Sequence, residues 1–167
     1  MKRLSRDEVR RHVATDPGRV YALVSDVTRT PQWSPEVIEC RWLDGAAGAV
    51  AGARFVARNR RRWLTWSNKP VVEVAEPAVE FAISRTEHGG GTIRWAYHLT
   101  PERAGTAVAL SYEVVRPVPL GLHVVLRLLF GVRDLQADLH ANMAASLDRI
   151  AELTTAAPTA APAPRGR

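Results

Sequence analysis

The sequence predicts an α+β domain in which a curved antiparallel sheet of about seven strands wraps one long C-terminal helix. Three observations predict it. Between residues 36 and 115 the apolar residues recur with a period of two, with turn-forming residues between the runs. Two short helical segments stand before that stretch, and after it a stripe of period 3.6 continues to Leu153. The 167 residues amount to one domain. A chain of this size buries roughly 70% of its unfolded surface, so a real core needs no staples.

The elements follow in order. Residues 9–15 open the sheet as a short strand with blurred alternation. Asp16 as N-cap and Pro17 at the first helical position start a helix that runs to Val27, with Val20, Leu23, Val24 and Val27 on one face. Residues 30–35, TPQWSP, carry two prolines and hold only a short turn or helical stub. Ile38, Cys40 and Trp42 then alternate with Glu39 and Arg41, and Ala53, Phe55 and Ala57 with Arg54, Val56 and Arg58. Trp66, Asn68, Val72 and Val74 share a face if the strand passes through Pro70. Val79, Phe81 and Ile83 follow, then Ile93, Trp95, Tyr97 and Leu99 after the glycines at 89–91. Val108, Leu110, Tyr112 and Val114 close an antiparallel meander with one wet face.

Beyond Pro117 and Pro119, the residues Leu128, Val132, Leu135, Leu139, Met143, Leu147, Ile150 and Leu153 trace one face of the long helix, which Gly131 kinks or divides. Residues 120–130 are apolar nearly all round but too short to span a bilayer. A lid, a dimer contact and a membrane-touching edge all remain open for them. Residues 154–167, TTAAPTAAPAPRGR, hold no large apolar residue and are expected to be a disordered tail, which leaves a domain at 7–153.

Composition narrows the function classes. The net charge of +6 points toward an anionic partner, yet arginine supplies nearly all of it and the positive residues are scattered. Only Arg58, Arg60, Arg61 and Arg62 cluster, and their alternation reads as a solvated hairpin. That weighs against nucleic acid. The single Cys40 excludes an internal disulfide and a multi-thiolate zinc site, and its mid-strand position suits an inert thiol. Met1 to Arg11 is polar and does not read as a signal peptide, so a cytoplasmic protein is expected. His12, His88, His98, His123 and His140 are dispersed without metal-ligand spacing. There is no GxSxG elbow, and the glycines at 89–91 lack the strand-to-helix setting of a nucleotide loop. Neither a metal nor a cofactor is expected.

Three stretches carry a family resemblance: DPGRVYALVSDVTRTPQWSPEVIECRW at 16–42, GARFVARNRRRWLTWSNKPVVEVAEP at 52–77, and RWAYHLTPERAGTAVALSYEV at 94–114. With Asp26 and Trp33-Ser34-Pro35 as its clearest feature, the chain resembles the SRPBCC, or START-like helix-grip, superfamily of polyketide cyclase/dehydrase and lipid-transport relatives. The resemblance implies a cavity between the sheet and the long helix, filled by a small apolar molecule. It marks fold better than chemistry, and no catalytic set is shared across the group to carry over.

The residues themselves nominate the walls. Trp42, Trp66 and Trp95 lie on apolar stripes, as do Phe55 and Phe81 on strands and Leu135 and Leu139 on the helix. Trp33 falls in the Pro-bounded turn, where it packs the short helices on the sheet, and Trp63 falls on a hairpin edge. Asn59, Asn68 and Arg85 extend the inward stripes and must find a partner, whether a neighbour, water or a ligand. Tyr97 and Tyr112 are the catalytic candidates, because an inward phenol can donate to a substrate carbonyl. The expected function is binding of a hydrophobic, lipid- or polyketide-like molecule. A cyclase/dehydratase acting on such a ligand is the alternative, and a basic surface docking on RNA or anionic membrane the second. Oligomeric state is not legible.

Overall fold

The computed structural model describes residues 5–86, 91–117 and 134–156. The expectations on residues 120–130, on the glycines at 89, 90 and 131, and on the tail beyond residue 156 lie outside the described residues. The chain runs through β1 (Arg6–Val13), α1 (Pro17–Ser25), a short 3-10 helix (Val27–Gln32), β2 (Val37–Trp42), β3 (Phe55–Arg61) and β4 (Leu64–Asn68). It continues through β5 (Val71–Glu76), β6 (Glu80–Thr86), β7 (Thr92–Glu102), β8 (Gly105–Arg116) and the long helix α2 (Leu135–Thr155).

Local chemistry sets the helix starts. The Asp16 carboxylate accepts from Arg19 N at 3.0 Å and Pro17 follows it, so α1 begins where the capping signal stands. Asp26 starts the 3-10 helix in the same way, accepting from the Thr28 amide at 3.2 Å and the Thr28 hydroxyl at 2.6 Å. Asp134 caps α2 by accepting from the Gln136 and Ala137 amides at 3.1 Å. At the other end α2 passes Leu153 by two residues, with the buried Thr154 hydroxyl donating to Ile150 O at 2.7 Å.

The strands form an antiparallel five-stranded sheet, ordered β1-β8-β7-β6-β5, and a three-stranded sheet, ordered β2-β3-β4. The Val72 amide donates to Ala53 O at 2.9 Å and the Gly52 amide to Val72 O at 2.8 Å, which joins the two sheets into one curved wall. The strand does not pass through Pro70. Proline offers no ladder N–H and restricts the residue before it, so β4 ends at Asn68 and β5 starts at Val71. A bulge between Val72 and Val74 corrects a second expectation. Val72 pairs with inward-facing Ile83, whereas Val74 pairs with Ala82, one row out of phase, and so leaves the inner face.

α2 lies across the inner face over β1 and β8. Arg11 pairs with Asp148, and His140 Nδ1 sits 2.9 Å from Asp7 Oδ2. At one end of the interior Val13, Val20, Leu23, Leu99, Val108, Leu147 and Ile150 pack without gaps large enough to join the cavity described next. Each such aliphatic side chain contributes roughly 1.5–3 kcal/mol by leaving water.

Candidate ligand-binding cavity

The other end is hollow. A cavity of about 160 Å³ lies between the three-stranded sheet, β6–β7, the 3-10 helix and the middle of α2. The inward alternation of β3 brings Phe55, Ala57 and Asn59 to it, while Arg58 and Arg60 face away. β6 contributes Phe81, Ile83 and Arg85, and β7 contributes Trp95 and Tyr97. From α2 come Leu139 and Met143, one turn apart on one face.

Four expected positions lie elsewhere. Trp42 stands edge-on to Phe55, ring centroids 5.6 Å apart, and so backs a wall residue. Half-buried Trp66 pairs across β3–β4 with Asn59, nearer the hairpin tip than Asn68, where the β4 lining is found. Leu135 opens α2, and the helix meets the cavity only at Leu139, one turn later. Tyr112 is a strand further away, its ring tilted against Trp95 at 5.4 Å, and Trp95 takes the wall position instead.

The segment around Trp33 does more than pack helices. Trp33, Ser34, Pro35, Glu36 and Val37 line the cavity in succession, because the turn between the 3-10 helix and β2 bends around it. Trp33 is only 1% exposed, and its Nε1 donates to Tyr97 Oη at 3.2 Å. This fixes the phenol and leaves its own proton for another acceptor. Desolvation pushes the Tyr97 hydroxyl up to about 12 despite the Trp33 hydrogen bond, so the group stays a neutral donor at physiological pH.

A polar group beside the cavity had no sequence signal. Arg61, at the end of β3, grips Asp138 of α2 through two hydrogen bonds of 2.6 Å and reaches Glu36 Oε1 at 3.1 Å. Asn142 Nδ2 donates to the same Glu36 oxygen at 3.3 Å. Burial raises the Glu36 carboxyl above the ordinary carboxylate range, Asp138 adding to the rise, while Arg61, Arg85 and the Asn142 hydrogen bond pull it back. These residues come from well-separated parts of the chain, so local spacing does not reveal their meeting.

Other polar groups are held less completely. Asn59 Nδ2 donates to Ala57 O at 3.3 Å. Among the described residues, neither side-chain polar atom of buried Asn68 has a partner, nor does Trp95 Nε1 or Tyr112 Oη. Arg85 lies with its guanidinium carbon 5.8 Å from the centre of the Trp95 ring. Cys40 lines the wall, but burial pushes its thiol up to about 11, which keeps it protonated and unreactive at neutral pH. No cluster of metal-ligating side chains occurs among the described residues, and no helix there is long and apolar enough to cross a membrane.

The arrangement can enclose a mostly apolar body and address it with a phenol, three amides, a guanidinium and a carboxyl. At about 160 Å³ it is close to the size of an engineered apolar cavity that holds benzene, and below the usual range for ligand pockets.

Comparison with known proteins gives the same architecture. Protein CV1439 from Chromobacterium violaceum is 14% identical, with a TM-score of 0.70 over 92% of this chain and 100% of that one. TTHA0849 from Thermus thermophilus is 19% identical, with a TM-score of 0.64 over 89% of this chain and 96% of that one. The di-domain aromatase/cyclase StfQ of the steffimycin biosynthetic pathway is 14% identical with a TM-score of 0.72, and 90% of this chain spans 50% of that one. At these identities the likeness is one of fold. No curated protein sequence matches. The model of the family "polyketide cyclase / dehydrase and lipid transport" matches residues 6–154, nearly the whole described chain, and the protein belongs to that family.

Proposed function

We propose that the protein binds a small, largely apolar molecule bearing at least one hydrogen-bonding group, in the cavity under β3, β6 and β7. The observation that carries the reading is the pairing of an aromatic wall, Phe55, Phe81 and Trp95, with the partnerless amide of Asn68. An orphaned buried amide costs roughly 1–3 kcal/mol, and a ligand carbonyl or hydroxyl would recover it. The cavity volume favours a one-ring body over an extended chain. Membership of a family that includes polyketide cyclases supports an aromatic or polyketide-derived ligand.

The test is calorimetric titration with one-ring phenols and aryl ketones, together with native mass spectrometry of the protein as purified. Ala57→Leu fills the wall opposite Asn68 and should abolish binding while the protein still melts cooperatively. Undiminished binding in Ala57→Leu would place the ligand elsewhere and sink the reading.

A second reading, catalysis of the cyclase/dehydratase kind, is favoured by the Trp33–Tyr97 pair. A fixed neutral phenol on the cavity wall could polarise a ligand carbonyl, and enclosure would supply proximity. Tyr97→Phe separates the two readings. A carrier keeps most of its affinity, whereas an enzyme keeps its ligand and loses turnover.

A further inference from the structure

The three-stranded sheet has two faces of opposite character. Its inner face lines the cavity. On its outer face Arg41 of β2 and Arg58 and Arg60 of β3 are all exposed. Thr65 and Ser67 of β4 stand opposite Arg60 and Arg58. The acidic side chain on this face is Glu39, whose carboxylate lies 3.8 Å from Arg58. Arg54, just before β3, pairs with Asp44 at 2.8 Å, so the three strand arginines against one strand carboxylate leave this surface net positive.

The hairpin between β3 and β4 closes through Arg62 and Trp63. Arg62 holds a φ of 55°, in the left-handed region that side chains other than glycine seldom occupy. Next to it Trp63 is 72% exposed, the most exposed of the large hydrophobic side chains and the only aromatic among those exposed in the described residues. An indole held in water at the tip of a basic hairpin is an arrangement that stability does not reward.

We propose that this hairpin and the basic face behind it dock on an anionic phospholipid surface, with the Trp63 indole seated at the headgroup level. Arginines attract acidic headgroups, and tryptophan favours the zone between water and hydrocarbon. A single-stranded nucleic acid would use the same charges but also a row of aromatic platforms. The outer face offers Val56, Thr65 and Ser67 beside its arginines, with one indole at the end, so lipid fits better. Such docking does not depend on the identity of any cavity ligand. It would, however, bring the strands that wall the cavity to a surface where apolar molecules collect.

Flotation of the full chain with phosphatidylcholine vesicles, with and without phosphatidylglycerol, tests it. Binding is expected only with phosphatidylglycerol and should weaken as sodium chloride rises. The Arg58→Gln, Arg60→Gln, Arg62→Gln triple variant should weaken it about a hundredfold, from about fivefold per arginine. Trp63→Ala should weaken it about tenfold by removing the interfacial indole. Brominated acyl chains should quench wild-type tryptophan fluorescence and spare Trp63→Ala, a readout independent of whether the triple variant folds. Absence of wild-type binding, equal binding by Trp63→Ala, or binding to a single-stranded oligouridylate with vesicles ignored would each overturn the proposal, the last in favour of nucleic acid.

Discussion

The packed and hollow ends of the interior sit between the same two layers, yet one is filled and the other is not. At the packed end Val13, Leu99 and Val108 from the five-stranded sheet meet Leu147 and Ile150 from α2. At the hollow end the corresponding positions on the three-stranded sheet are Cys40, Ala57, Asn59 and Asn68. Branched aliphatics interdigitate to close density, whereas small and amide side chains stop short of the helix. A cavity here needs no special backbone. It follows from which half of the wall received short side chains, and the polar ones among them remain incompletely bonded.

That contrast can be broken from either end. Leu147→Ala at the packed end should cost about 3 kcal/mol, because dense neighbours collapse poorly into the space left, and chemical denaturation will read it. A cost below about 1 kcal/mol would mean that the two ends do not differ in packing.

Alkaline pH probes the boundary between the ends. Tyr97 and Tyr112 are each raised to about 12 when folded, against an ordinary value of 10.0. Above pH 10 the unfolded chain ionises these phenols while the folded chain holds them neutral, so stability falls as pH rises and levels off beyond about 12. The loss assigned to Tyr97 is on the order of 2 kcal/mol, and Tyr97→Phe should flatten that part of the pH–stability profile.

Asn68→Leu goes the opposite way. Replacing an orphaned amide with an apolar side chain beside open space should stabilise the fold by about 1 kcal/mol while weakening ligand binding. Destabilisation would show that Asn68 finds partners in solution. The smallest effect belongs to the β5–β6 turn. Val79 N bonds to Glu76 O at 3.0 Å, Pro77 follows Glu76, and Ala78 has a φ of 62°. This is a type II turn with alanine where glycine is preferred, so Ala78→Gly should raise stability by about 0.5 kcal/mol in a thermal melt, with ligand affinity unchanged.

Alternation alone placed most of the wall, because Phe55, Asn59, Phe81 and Trp95 project by a rule of two along unbroken strands. It failed where the ladder is interrupted. Pro70 split a strand, and the following bulge turned Val74 to the other face. It also could not say where along an inward stripe the cavity ends, and this is why Trp66 and Tyr112 point inward yet lie outside the lining. The Glu36–Arg61–Asp138–Asn142 group escaped for a different reason. Pairing of β2 with β3 brings Glu36 beside Arg61, and closure of α2 over the sheet adds Asp138 and Asn142, a meeting that neither spacing nor composition encodes.

The pairing of β1 with β8, from Arg6 opposite Glu113 to Val13 opposite Thr106, also bears on how the nascent chain is handled. During synthesis β1 leaves the ribosome long before its partner exists, and contacts of such sequence separation form late. An orphan strand of this length is an invitation to pair with a neighbouring chain. β1 reads RDEVRRHV, so only two of its residues are aliphatic, and the charges between them keep the waiting strand in water. The same charges serve afterwards, when Asp7 and Arg11 meet His140 and Asp148 as the helix closes over them.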